Sequence, residues 1–334
     1  MRFLLSLLLG LGLLHGCAPT TAPSASTGNV PPGAGELRVT FLDVGQGDSA
    51  LIRTPDGDAL LIDGGPSNAG DEVVAALREA GVNRLRLLVG SHPHEDHIGG
   101  LAEVLRTVPV EQALDPGYAH GTATQRNYLQ LLREREVKTT RARSGQVVDL
   151  GENVRLEILA PSEPLLKGTE SDANNNSIVA RLTYGDTAFL FTGDMENAER
   201  ARLLRSASSN QLRADVLKVA HHGSHNGTDP DFLRAVRPRY SVISLARDND
   251  YGHPHREALE ALRNSGTRIL RTDEQGSITF TSNGRQVTLR DDPGSAAVAE
   301  PAPAPAPATT GQVIGNRTSK VYHTPDCPRL PGPD

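Results

Sequence analysis

The 334-residue chain has no tryptophan, and only six phenylalanines and six tyrosines. A core has to come from Leu, Val, Ile and Ala rather than from large rings. It has two cysteines, Cys17 and Cys327, both outside the stretch that carries regular patterning. A disulfide framework is therefore excluded as the source of stability. Net charge is -6 and there is no basic block, which argues against an extended nucleic-acid surface but leaves room for a local phosphate-binding groove. Beyond the N-terminus no apolar run is long enough to span a bilayer.

What is present begins with an address. Arg2 precedes Phe3 to Leu14, an apolar stretch broken only by Ser6, Gly10 and Gly12. It is short for a bilayer helix and has the layout of a secretion signal. It ends Leu14-His15-Gly16-Cys17, which resembles the lipobox of bacterial lipoproteins. Residues 1–17 are expected to be a lipoprotein signal peptide with Cys17 acylated, the alternative being an ordinary signal with a chance cysteine. The Pro-, Ser-, Thr-, Ala- and Gly-rich stretch over 18–36 reads as a flexible tether.

The strongest chemical signal is Ser91-His92-Pro93-His94-Glu95-Asp96-His97-Ile98-Gly99-Gly100, with three imidazoles and two carboxylates in six residues. An apolar run, Leu85 to Val89, delivers them into one loop. Imidazole nitrogen and carboxylate oxygen suit a divalent ion such as zinc, manganese or iron.

The rest of the patterned region alternates strands and helices. Strands are expected near 37–42, 49–53, 59–62, 154–159, 178–182, 187–192, 216–220, 241–245, 268–271, 277–280 and 286–290. Helices are expected over 71–80, 124–136 (with Leu129 and Leu132 inward), 197–205, 229–236 and 256–263. Three more strand ends carry ligand-type residues: Gly193-Asp194, His221-His222-Gly223-Ser224-His225, and Tyr251-Gly252-His253-Pro254-His255. Four such junctions point to one catalytic rim, as in layered α/β folds. Asp43 and Asp63 read as turn-forming residues or as groups that orient a histidine. His120 is a lone loop histidine, more often solvated than a ligand.

Together, Asp43-Val44-Gly45-Gln46-Gly47-Asp48, Asp63-Gly64-Gly65, the 91–100 loop, Asn176-Ser177, Thr192-Gly193-Asp194, His221-His222-Gly223-Ser224 and Gly252-His253-Pro254-His255 resemble the ComEC-type branch of the metallo-β-lactamase superfamily. That resemblance covers about 37–290. It implies an α/β fold, a four-layer αβ/βα sandwich, with a metal-dependent hydrolase site at the sheet edge and one or two divalent ions, Zn or Mn. It also implies roles. His92 and His94 hold the first metal, Asp96 and His97 the second, and Asp194 bridges. One of His221 and His222 completes a site, with His221 preferred as nearest the strand end and His222 then facing substrate. His253 is a further ligand or stabilises a phosphate oxygen, and Asp96 takes part in proton transfer. The common superfamily pattern has a third isolated histidine between the first motif and the bridging Asp; here Asn174-Asn175-Asn176 occupy that context. Amides bind zinc poorly but suit manganese or substrate hydrogen bonds.

The implied function is hydrolysis by water activated on the metals, with a phosphodiesterase or nuclease first. A non-nuclease envelope hydrolase acting on a phosphodiester, lactone or lactam is the alternative, and a binding protein with a vestigial metal site the third reading. The expected partners are a phosphodiester or nucleic-acid substrate and a membrane reached through the lipid anchor. No protein partner is inferable. The expected location is exported, lipid-anchored at the cell envelope or secreted, without the competence protein's channel part. Residues 291–310 read as a Pro/Ala linker. Residues 311–334, with His323 and Cys327, resemble the start of an Ada-like metal-binding module, too short to complete a cysteine-rich zinc site.

Overall fold

The computed structural model describes residues 35–290 and, in backbone alone, 314–315 and 322–323. The chain divides into two units, Met1–Val287 and Thr288–Asp334. In the second, Ile314–Gly315 pairs antiparallel with Tyr322–His323. The expected signal peptide with Cys17, nearly all of the tether, the Pro/Ala linker and Cys327 lie outside the described residues. Among the described residues no helix is long and apolar enough to cross a membrane.

The first unit opens with β1 (Leu37–Phe41), β2 (Ala50–Arg53), β3 (Ala59–Ile62), α1 (Gly70–Glu79), β4 (Leu85–Val89), α2 (Glu95–Ile98), α3 (Leu101–Thr107), β5 (Val110–Asp115), α4 (Ala123–Glu134) and β6 (Lys138–Arg141). It continues with β7 (Val147–Asp149), β8 (Val154–Ala160), β9 (Val179–Tyr184), β10 (Thr187–Phe191), α5 (Asn197–Ser206), α6 (Ser209–Leu212), β11 (Val216–Lys218), α7 (Pro230–Val236), β12 (Tyr240–Ile243), α8 (Arg256–Asn264), β13 (Arg268–Arg271) and β14 (Ile278–Ser282). One sheet runs β14-β1-β2-β3-β4-β5-β6 and the other β13-β12-β11-β10-β9-β8-β7.

Leu51, Leu61, Leu85 and Leu88 of the first sheet pack against Val73 and Leu77 of α1, Leu101 and Val104 of α3, and Tyr128 of α4. Leu190, Leu217 and Ile243 of the second pack against Leu203 of α5, Phe232 and Val236 of α7, and Leu262 of α8. Between the sheets Phe41 meets Phe191 at 5.8 Å and Phe280 at 6.1 Å, edge-on. The result is the expected four-layer helix–sheet–sheet–helix sandwich. The scarce aromatic rings are spent at its centre, where one ring covers the most area.

Strands covered on both faces lose alternation. β3 is buried at all four positions, as is β12. The stretch 101–143, which reads as mixed in sequence, resolves into α3, β5, α4 and β6. In α4 the inward residues are Tyr128, Leu131 and Leu132, whereas Leu129 is only partly buried. Leu129 and Leu132 both fit the stripe by spacing, and Leu129 packs against the margin of the cluster that Tyr128 and Leu132 enter fully.

β3 to β6 are parallel, and so are β10 to β13. The loops after β3, β4, β10, β11 and β12 therefore open at one rim. The glycine motifs lock these loops together. Asp48 N–H donates to the Asp96 carbonyl (3.1 Å), Gly64 N–H to that of His97 (2.7 Å) and Gly100 N–H to that of Gly65 (2.9 Å). A Cβ on Gly47 would lie 2.3 Å from the Asp96 carbonyl oxygen, and one on Gly100 would lie 2.0 Å from that of Gly64. The backbones approach too closely for any side chain, which is why these motifs are written in glycine.

Candidate functional site

Three loops, after β4, β10 and β11, bring their ligand-type atoms together. Asp96, His97, Asp194 and His222 each offer an atom within 4.8 Å of the others, and so do His92, His94 and Asp194. Asp194 belongs to both groups. His97 Nε2 lies 3.2 Å from Asp194 Oδ1, and His222 Nε2 lies 3.1 Å from Asp96 Oδ2 and 3.6 Å from Asp194 Oδ2. On the other side His92 Nε2 is 3.7 Å from Asp194 Oδ2 and 3.1 Å from His94 Nδ1. His92, His97, Asp194 and His222 are all at most 1% exposed.

The backbone carries strain to achieve this. His221 and His222 both adopt left-handed φ, 50° and 51°. Each such non-glycine residue costs about 1–3 kcal/mol and persists only where the surroundings hold it. Asp63, at φ 59°, turns its carboxylate inward. It accepts from Ser91 N–H at 2.7 Å and from His97 Nδ1 at 3.0 Å.

The second bond fixes the neutral His97 tautomer that a metal ligand needs: Nδ1 carries the proton and Nε2 points at Asp194 and Asp96. His222 repeats the device, donating from Nδ1 to the Ser244 carbonyl at 2.8 Å. Asp63 thus has the orienting role expected of it. Asp43, by contrast, makes a turn, accepting from Gly45 N–H at 3.3 Å.

Electrostatics follow from crowding. Burial opposes ionisation of Asp194, yet His97, His222 and His221 hold its carboxyl well below the ordinary range. Burial also opposes charge on His222, but Asp194 and hydrogen bonds to Asp48 and Asp96 push it up to about 10. His97 is raised in the same way, its burial outweighed by Asp194, Asp96 and Asp63. His92 goes the other way: burial and the neighbouring His97 charge lower it well below the usual value. Two buried polar atoms of this cluster, His97 Nε2 and Asp194 Oδ1, have no hydrogen-bond partner. A divalent cation, taking the place of the imidazolium proton, satisfies such an unpartnered imidazole nitrogen and carboxylate oxygen.

The two histidines of the pair, of which His221 is the expected ligand, are placed differently. It is His222 that lies buried within the four-residue group. The His221 side chain is 23% exposed, with Nδ1 3.3 Å from Glu196 Oε1 and Nε2 3.9 Å from Asp194 Oδ2. The reason is the left-handed turn, which rotates the second histidine of the pair inward. Distance from the strand end is a poor guide there. His253 is in neither ligand group. Burial, then His222, His221 and His255, push its imidazole down to about 4, so at neutral pH it is an uncharged ring.

Above the cluster is a cavity of about 380 Å³, lined in part by His94, Asp96, His221, His253 and Tyr251. His120 also lines it, 5.0 Å from the His94 ring, so this loop histidine is at the site after all. Of the three asparagines, two are committed to structure. Asn176 binds the backbone of Leu166 and Asp172, and Asn175 binds Ser171, Glu196 and Glu199. Asn174 donates to Glu196 Oε1 at 2.8 Å, which leaves its Oδ1 unpartnered in the cavity wall.

Three groups had no assigned role in the sequence reading. Lys218 is 3% exposed and binds Asp48 Oδ2 at 2.6 Å, joining the two sheets behind the site. Asp48 in turn lies 3.4 Å from His222 Nδ1. Gln46, which lines the cavity, accepts from Ala246 N–H at 3.2 Å, and its amide nitrogen is buried without a partner. Asp48 and Gln46 stand in a quoted motif, but their partners lie about two hundred residues away and cannot be seen in a linear pattern.

Beside the asparagine network, buried Glu199 is pushed up to about 7 by burial. A carboxyl raised in the fold from its ordinary 4.5 destabilises the protein when ionised. The penalty is absent below the unfolded value, grows as pH rises towards 7, and is complete above it. Glu199→Gln is expected to raise stability by about 3 kcal/mol at pH 8, a gain that fades towards pH 4.5. Calorimetric melting at several pH values checks this, and a pH-independent difference contradicts it.

The sequence pattern of the metallo-beta-lactamase superfamily matches residues 42–247. The ComE operon protein 3 of Bacillus subtilis is 29% identical over 271 residues, which is 76% of this chain and 34% of that protein. The competence protein ComA of Neisseria gonorrhoeae is 33% identical over 250 residues, 73% of this chain and 32% of that protein. Recombination protein 2 of Haemophilus influenzae is 29% identical over 246 residues, 72% of this chain and 28% of that protein. The chain thus spans about a third of the length of these relatives.

Proposed function

The chain belongs to the metallo-beta-lactamase superfamily, and from that premise we propose that it is a metal-dependent phosphodiesterase, acting on nucleic acid. The observation that carries the reading is the double membership of Asp194 in two adjoining groups of ligand-type atoms. His92, His94 and Asp194 would hold a first ion, and Asp96, His97, His222 and Asp194 a second. When bound, Zn or Mn would acidify a water and neutralise charge on a substrate oxygen.

The protein's own groups do the rest. Asp63 and the Ser244 carbonyl keep His97 and His222 in the tautomer whose Nε2 is free. Asp96, whose side chain is 29% exposed and reaches the cavity, accepts the proton of the attacking water. Gln46, at the cavity edge, is oriented by the bond its Oε1 accepts from Ala246 N–H.

A second reading, an envelope hydrolase of lactone or lactam substrates, draws on one observation. Among the described residues that line the cavity there is no Lys or Arg, so the wall itself offers no cation to a phosphate. Protein reconstituted with Mn or Zn, assayed on bis-p-nitrophenyl phosphate, single-stranded DNA and nitrocefin, separates the two. Turnover of the phosphodiesters is expected. Turnover of nitrocefin alone would move the assignment to acyl transfer, and turnover of none would favour a binding protein with a vestigial site. Export and lipidation through Cys17 remain part of the proposal, checked by the mass of the mature protein and its partition into detergent.

A further inference from the structure

The loop after β12 carries a feature that the metal chemistry does not use. Tyr251 is 66% exposed, one of two large apolar side chains so open among the described residues. Its ring is stacked on His253, centroids 5.6 Å apart and planes 20° apart. Both rings line the cavity over the cluster. From the cluster outward the rings step in sequence: His222 to His253 is 6.2 Å, and His253 to Tyr251 is 5.6 Å.

The loop is held firmly. Asn249 clamps the backbone of His253 in both directions, its Oδ1 accepting from His253 N–H at 2.9 Å and its Nδ2 donating to the His253 carbonyl at 2.8 Å. The same Nδ2 donates to the Ala246 carbonyl at 2.9 Å. Below, Gly223 lies flush against Pro254, with no space for a Cβ, which would come 2.7 Å from the Pro254 Cβ. A tyrosine serving the core buries its ring. This one is presented outward, edge of the cavity, on a rigid mount, with one face backed by an imidazole.

We propose that the Tyr251–His253 stack is a nucleobase subsite, on which the base of an unpaired nucleotide lies while its neighbouring phosphate reaches the Asp194 cluster. The proposal rests on the phosphodiesterase reading and deepens it. A flat π-face suits any base, so recognition is by stacking and tolerant of sequence. The absence of Lys and Arg from the described lining supports it from another side. A wall without cations cannot track a backbone by charge, so affinity beyond the metal ions has to come from a contact that is not ionic. A preformed platform supplies that without an ordering cost. A duplex does not fit, because its bases offer no free face.

The test compares the intact Mn-loaded protein with Tyr251→Ala and Tyr251→Phe. The probes are a short single strand containing 2-aminopurine and the same strand with abasic sugars at every position. The chain has no tryptophan, so the 2-aminopurine signal is read against a low protein background. The parent and Tyr251→Phe are expected to quench 2-aminopurine and to bind the base-containing strand about tenfold to a hundredfold more tightly than the abasic one. In Tyr251→Ala that preference falls towards one, with metal content unchanged as the check on folding.

Equal preference in the parent and Tyr251→Ala overturns the subsite. A parallel loss on the abasic strand assigns the stack to a sugar ring instead and also overturns it. Hydrolysis of bis-p-nitrophenyl phosphate in the same preparation keeps the outcomes apart. If it persists without base preference, only the subsite fails; if it is absent, the phosphodiesterase reading itself fails.

Discussion

Asp194→Asn is expected to lower phosphodiester hydrolysis by at least about a thousandfold while leaving the fold intact. The substitution keeps the shape and removes the charge. Asp194 faces His92, His97, His221 and His222, and its two oxygens serve both ligand groups. An amide presents one oxygen and one NH₂, and the NH₂ offers no lone pair to a cation. Both sites are weakened by one atom exchange. Metal ions that bind only the folded state raise its melting temperature by mass action. Added Mn or Zn should therefore raise the melting point of the parent protein and do little for Asp194→Asn. Full activity with an unchanged metal-induced shift would remove Asp194 from the centre.

The paired histidines give the second large effect, and a contrast. His222→Ala removes a fully buried imidazole that lies between Asp96 and Asp194. It also leaves the Ser244 carbonyl without its donor. A loss of at least a hundredfold in rate is expected, with about half of the bound metal gone. His221→Ala removes a cavity-facing ring held by Glu196 and Asn226. It is expected to keep the metal and to act on the catalytic rate by a smaller factor. Metal analysis of the two variants side by side reads this directly. The reverse ranking, with metal lost from His221→Ala and kept by His222→Ala, would restore the assignment made from distance to the strand end.

That contrast shows where sequence reading stops. The 91–100 loop, Asp194 and the order of the strands were all legible because each rests on a local rule: an apolar run, a strand end, a cluster of ligand-type side chains. The choice between His221 and His222 depends on two successive left-handed residues, for which neither histidine carries a signature. Asp63 could be anticipated as an orienting group because it too ends a strand. Lys218 and Asp48 could not be paired, since they come from opposite sheets. The asparagine run looked like a substitute ligand set. Two of its members turn out to be spent on the backbone of their own loop and on Glu196, and only Asn174 Oδ1 is left without a partner. In α4, Tyr128 and Leu131 share the core face with Leu132, and Leu129 packs at its margin, because helical spacing leaves a stripe several residues wide and packing against the sheet ranks the positions within it.

The shared carboxylate is the claim on which everything else depends, and anomalous diffraction from crystals of the Mn-loaded protein tests it most directly. Two peaks roughly 3.5–4 Å apart are predicted, one beside His92 and His94, the other among Asp96, His97 and His222, with an Asp194 oxygen directed at each or at both. Metal bound away from Asp194, or none bound in that rim at saturating Mn, would contradict it.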